Sequence, residues 1–208
     1  MTSPTSASDW YLFDYGMVIS TAPDPEDWLA LQDATGLDLE PRDSGYWAHR
    51  ADFDAGRLTS RQYWGLVLGQ EVTDALAVQL DAMDARQWSH FNLDTLDVLE
   101  SLSARGAGLA LLSNMPAGMA TEFTNREPWV RYFDKLFFSG HLGMVKPDAA
   151  VFAHVLAQLG ADGGRVTFVD DSEANIATAQ TLGLRTVLHT EGIDLAAELA
   201  LLDADIDS

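Results

Sequence analysis

Six residues in this chain are of types that could do chemistry together: Asp14, Ser113, Asn114, Lys146, Asp170 and Asp171. Three carboxylates gathered in one place repel one another unless a hard divalent cation sits among them, and oxygen ligands favour Mg²⁺. A hydroxyl, an amide and an ammonium around the open side of such an ion suit a phosphate group, whose transfer depends on positioning and charge neutralisation. Taken singly, each residue has a plainer reading. A lone Asp at the end of a strand is more simply a turn cap.

The elements that must position these residues argue for the joint reading. Residues 10–13 form an apolar run bounded by turn formers, as in a buried strand of a parallel sheet, and Asp14 ends it. A second run, 109–112, ends in Ser113-Asn114, and a third, 166–169, ends in Asp170-Asp171. Lys146 lies in a loop between strands. In an open α/β sheet the carboxyl ends of parallel strands share one edge, where ligands bind. Shorter strands are expected over 136–138 and 185–188. Helices are expected over 93–105, over 119–129 as part of a long aromatic connection, after Pro147 (placed in a first helical turn), and over 173–182. Residues 21–91 break this alternation. They read as helices only, one beginning near Glu26, one over 60–68 capped by Thr59 and one over 73–83. The sequence thus predicts an α/β fold, a Rossmann-like parallel sheet core (1–20 and 92–208) with a small inserted all-helical cap (21–91).

Composition narrows the partners. The 208 residues carry 32 acidic and 12 basic side chains, a net charge of −20, which repels nucleic acid and anionic lipid. An anionic substrate would need local cations. No apolar run is long enough to span a bilayer, and the first nine residues lack the features of a signal peptide, so a frayed tail is expected there. Cysteine is absent, which excludes disulfides and thiolate chemistry and suits a cytoplasmic location.

The residues resemble the haloacid dehalogenase (HAD) superfamily over about 10–190. Phe13-Asp14-Tyr15-Gly16-Met17-Val18-Ile19 is similar to its first motif and Leu112-Ser113-Asn114 to its second. Gly143-Met144-Val145-Lys146-Pro147-Asp148 is similar to the third, and Phe168 to Asn175 to the fourth, extended by Ala179, Gly183 and Thr186. The resemblance implies a Mg²⁺-dependent phosphatase of a small phosphorylated substrate; the sequence does not choose between a monomer and a homodimer. It implies that Asp14 is the nucleophile of an aspartyl-phosphate, that Ser113 and Asn114 hold the phosphoryl group and that Lys146 neutralises charge. Asp14, Asp171 and the carbonyl of Gly16 would hold the metal, with Asp170 a further ligand or a partner of Lys146. Within the superfamily the chain is most similar to the branch that releases glucose from α-glucose 1-phosphate.

Two positions depart from the family pattern. Gly16 stands where most phosphatases of the superfamily carry a second Asp as general acid and base, and Met17 where Gly or Asn is usual. Two rival readings follow, a 2-haloacid dehalogenase and a catalytically weak binding or regulatory protein. Against the first stands the Asp170-Asp171 pair, which a metal-free dehalogenase does not need. In the cap, His49 and Arg50 are candidates for substrate contact, or members of a solvated helix face. Trp47 and Trp64 read as cap core, and His141 as a loop histidine.

Overall fold

In a computed structural model, residues 10–204 of the chain are described, so the expected N-terminal tail lies outside them. Five strands form one sheet: β1 (Trp10–Phe13), β2 (Gly108–Ser113), β3 (Lys135–Phe138), β4 (Val166–Asp170) and β5 (Arg185–Leu188). All pairings are parallel and the order is β3-β2-β1-β4-β5. β1 is therefore central, with Phe13 in register with Leu111 on one side and Val169 on the other. That register brings Asp14, Ser113 and Asp170 to one edge.

Alternation along the strands builds two cores. Tyr11, Phe13, Leu109, Leu111 and Val169 face one side, and Leu12, Ala110, Leu112 and Phe168 the other. Helices cover both faces, as an all-parallel sheet requires. Between β1 and β2 run α1 (Pro25–Thr35), α2 (Gly45–Ala48), α3 (Arg50–Asp54), α4 (Ser60–Leu68), α5 (Asp74–Gln87) and α6 (Leu93–Ala104). The remainder are α7 (Ala117–Arg126), α8 (Ser139–Leu142), α9 (Ala149–Leu159), α10 (Glu173–Thr181) and α11 (Leu195–Ala204).

Helices α1 to α5 supply a third, separate cluster, built on Trp28, Leu31, Tyr46, Tyr63, Trp64 and Leu80. The capping box is present at α4, where Thr59 and Gln62 satisfy each other's backbone N–H groups. Trp64 is fully buried there, and its Nε1 donates to Asp81 at 2.8 Å. The two chain crossings that bound these helices lie side by side, with Ser20 bridged to Phe91 and the Thr21 N–H donating to the His90 carbonyl at 2.8 Å. His90 Nε2 also meets Asp27 at 2.6 Å, tying α1 to the return crossing.

Three boundaries differ from the expectation. Pro147 precedes the helix rather than opening it, because Asp148 takes the N-cap and accepts from the Ala150 N–H. The helix expected to end near residue 83 runs on to Gln87, since Asp84, Ala85 and Gln87 are buried by it. The aromatic connection splits, α7 ending at Arg126 and a separate 3₁₀ turn, Pro128–Tyr132, beginning at the proline.

One junction fixes the loops that carry the site. Ser139 Oγ, fully buried, accepts from the Met115 N–H and donates to the Asp54 carbonyl, joining β3, the loop after β2 and α3. At Gly140 a Cβ would lie 2.4 Å from the Ala117 nitrogen and 2.7 Å from the Met115 carbonyl oxygen. Backbone cannot retreat from such a clash as a flexible side chain can. Gly140→Ala is expected to lower stability by at least ~1–3 kcal/mol, read as a fall in the denaturant midpoint; an unchanged midpoint would show that the junction yields.

Candidate functional site

At the carboxyl edge of the sheet lies a cavity of about 530 Å³ whose lining includes Asp14, Gly16, Ser113, Asn114, Lys146, Asp171 and Asn175. Its far wall comes from the inserted helices and their crossings: Pro23, Trp28, Arg42, Trp47, Arg50 and Trp88. The six residues that the sequence singled out converge here. Asp170 sits just behind the lining and is fully buried.

Lys146 organises the floor. Its ammonium lies 2.7 Å from Asp14 Oδ1 and 2.6 Å from Asp170 Oδ2, with the side chain about 1% exposed. Asp170 is satisfied further by the Ser172 N–H at 2.8 Å and by Asn175 Nδ2 at 2.9 and 3.0 Å. Asp170 is thus the partner of Lys146, one of the two roles open to it. Asn114 works through the backbone of Lys146: its Nδ2 donates to the Lys146 carbonyl and its Oδ1 accepts the Lys146 N–H, both at 2.9 Å. This reciprocal pair places the lysine and uses one of the two Nδ2 hydrogens, while Asn114 itself lines the cavity. Ser113, also buried, lines the cavity beside it.

Burial pushes the Asp14 carboxyl up, to about 8; Lys146 opposes the shift, Asp170 adds to it, and the Tyr15 N–H at 2.7 Å opposes it again. Asp171 is raised too, by burial and then by Asp170. Lys146 is raised because its two carboxylates outweigh the burial that would lower it. A site that holds acids against their protons in this way suits a cation. Carboxylate oxygens of Asp14, Asp170 and Asp171 all lie within 4.8 Å of one another, a donor set of hard oxygens that fits a divalent ion such as Mg²⁺.

The cap-side candidates divide. Arg50 lines the cavity but is engaged with Asp54 at 2.7 Å and Asp84 at 3.0 Å, in a buried network that includes the Tyr46 hydroxyl. His49 is not among the lining residues. His141, within α8, stacks edge-on against Phe138. Trp47, read as cap core, packs against that cluster and also lines the cavity, its Nε1 donating to the Glu40 carbonyl at 3.0 Å. Arg42 was not singled out by the sequence; its guanidinium lies 4.0 Å over the Trp47 ring. Nothing in its local pattern marks it, since it sits in a polar loop and reaches the cavity only through tertiary packing.

Met17 adopts φ 58°, the one non-glycine residue with positive φ among the described residues, a left-handed conformation that costs an L side chain roughly 1–2 kcal/mol. It follows Gly16, where a Cβ would meet only Trp88, at 3.9 Å, an ordinary contact.

Removing the cation from the floor should be severe. Lys146→Met is expected to destabilise the fold by ~3–5 kcal/mol at neutral pH, because it strands the two buried carboxylates. Chemical denaturation measures this, and a change below about 1 kcal/mol would contradict the charge-balance account.

A model of the haloacid dehalogenase-like hydrolase family matches residues 20–183. A sesquiterpene phosphatase of Aspergillus oryzae is 30% identical over 105 residues, 50% of this chain and 54% of that protein. A phosphoglycolate phosphatase of Cereibacter sphaeroides is 33% identical over 94 residues, 45% of this chain and 42% of that protein. The chain spans about half or less of the length of the first of the curated relatives it matches. Among solved structures, a magnesium complex of a HAD family enzyme from Bacteroides thetaiotaomicron is 26% identical, with a TM-score of 0.72 over 90% of this chain and 96% of that one.

Proposed function

Because the chain belongs to the haloacid dehalogenase-like hydrolase family, we propose that it is a Mg²⁺-dependent phosphatase of a small phosphate monoester, with residues 21–91 acting as a cap over the site. The observation that carries this reading is the Lys146 ammonium held between Asp14 and Asp170 beside Asp171 and Ser113. A nucleophile and a fixed cation would serve phosphoryl transfer and halide displacement alike; the hard-oxygen donor set beside them is what favours phosphoryl transfer. The relatives named for phosphatase activity support the reaction class. They differ in substrate, and the glucose 1-phosphate branch suggested by the motifs remains one option within it.

In this mechanism Asp14 attacks phosphorus, and the bond from phosphorus to the ester oxygen breaks with its electron pair leaving on the alcohol oxygen. Ser113 donates to the phosphoryl oxygens while Lys146 offsets their charge. Asn114 acts by holding Lys146. Water then attacks phosphorus of the aspartyl-phosphate, releasing inorganic phosphate and restoring Asp14. Asp14, Asp171 and the Gly16 carbonyl would hold Mg²⁺, which when bound neutralises phosphoryl charge and keeps Asp14 ionised. Gly16 offers no side chain to protonate the departing oxygen, so that proton comes from solvent and good leaving groups are favoured.

The class is tested by phosphate release from a panel of esters with Mg²⁺ and with chelator, a short 2-haloacid run alongside. Mg²⁺-dependent phosphate release is expected; metal-independent halide release would support the dehalogenase, and silence on both from folded protein a binding role. Gly16→Asp, for which there is space, should speed poor leaving groups by up to ~10²-fold and leave p-nitrophenyl phosphate little changed. Loss of activity on both would show that a carboxyl here does not reach the leaving oxygen.

The raised Asp14 sets a pH dependence. Because burial raises the metal-free Asp14 carboxyl, a proton competes there with an incoming cation. Mg²⁺ affinity by calorimetry should therefore tighten as pH rises from 6 to 8, by up to about tenfold per unit, and level off above. A flat profile would contradict this.

A further inference from the structure

We propose that Met17 is a specificity-determining residue that contacts the leaving group, and that the substrate is a phosphate monoester of an alcohol with an apolar alkyl or aryl body. This rests on the phosphatase reading above and names its substrate class.

The left-handed backbone at position 17 would suit glycine or asparagine without strain, yet it carries methionine. Its surroundings hold it there. The N–H groups of Val18, Ile19 and Ser20 all turn back onto the Tyr15 carbonyl, which fixes the turn that contains Met17. Core packing does not account for the side chain, which is 42% exposed. It lines the same cavity as Asp14, three residues further along the chain. A strained residue that the fold over-determines, with its side chain presented to a ligand cavity rather than to the core, marks a functional contact.

The rest of that wall has matching chemistry. Pro23, Trp28, Trp47 and Trp88 line the cavity with Met17. The Arg42 guanidinium sits 4.0 Å over the Trp47 ring centroid. The other two lining cations, Lys146 and Arg50, are already paired with carboxylates. A flexible thioether and flat indoles adapt to an apolar body; of the polar groups on this side, Arg50 and Asp54 are paired with each other, which leaves Glu40 and Arg42 to meet a hydroxyl.

The test compares hexyl phosphate with glucose 6-phosphate, both primary alkyl esters, so that leaving-group acidity is not the variable. Binding of hexylphosphonate against methylphosphonate is measured by calorimetry on the same Mg²⁺-loaded protein. The wild-type chain should favour the hexyl ester in kcat/KM and bind hexylphosphonate more tightly. Met17→Asn, which accepts the left-handed backbone, should lower both preferences about tenfold while Tm holds or rises by ~2 °C. Met17→Leu keeps the apolar contact and should keep both preferences. The inference is overturned if the wild-type chain treats the two esters alike, or if Met17→Asn leaves the ratios unchanged. It is equally overturned if Met17→Asn lowers Tm and both substrates in step, as a structural role would. Hydrolysis of neither ester counts against the phosphatase reading, and the phosphonate comparison still decides the role of Met17.

Discussion

A lysine ammonium with almost no exposure to water, bound to two carboxylates, is the constraint around which the rest of this structure is arranged. Neither partner tolerates burial alone. An unpaired carboxylate or ammonium taken out of water carries a penalty of several kcal/mol, so the pairing has to be geometrically tight and every remaining lone pair has to find a donor. Asp170 meets that demand through Ser172 and Asn175, whereas Asp14 gains only the Tyr15 N–H, on the oxygen that Lys146 already holds. Asn114 completes the arrangement from the next strand by gripping both sides of the Lys146 peptide. Four separate segments of chain are locked together by one charge.

That charge balance also shapes the chemistry. Asp170 shares the lysine but has all its oxygens engaged, whereas Asp14 Oδ1 accepts from Lys146 and Tyr15 and no donor to its Oδ2 is found among the described residues. One carboxylate therefore serves as a fixed counter-charge, and the other has one oxygen engaged and one without a donor among the described residues. The inserted helices close the cavity from the other side, and Ser139 ties them to the sheet through Asp54.

Much of this was legible in the sequence, for a physical reason. Strands buried on both faces stand out as apolar runs, and polar residues at their carboxyl ends are conspicuous because burial makes them expensive. Asp14, Ser113 and Asp170 were visible in that way, and Lys146 through its motif. The cap wall was not. Arg42 comes from an irregular loop, and Trp47 looks the same whether it packs inward or lines a cavity, because an indole suits both. His49 and Arg50 are adjacent in sequence, yet only Arg50 lines the cavity, and there it is held by Asp54 and Asp84. The strain at Met17 could be suspected from the family pattern, but its direction, toward the cavity, required coordinates.

The central claim is that Asp14 becomes covalently phosphorylated during turnover. Acid quench in the steady state with a good phosphate ester and Mg²⁺, followed by peptide mass spectrometry, tests it most directly. The account predicts a phosphoryl group on the peptide containing Asp14, converted to homoserine at that position by borohydride. Steady turnover with that peptide unmodified, or the phosphoryl group on another residue, would contradict it.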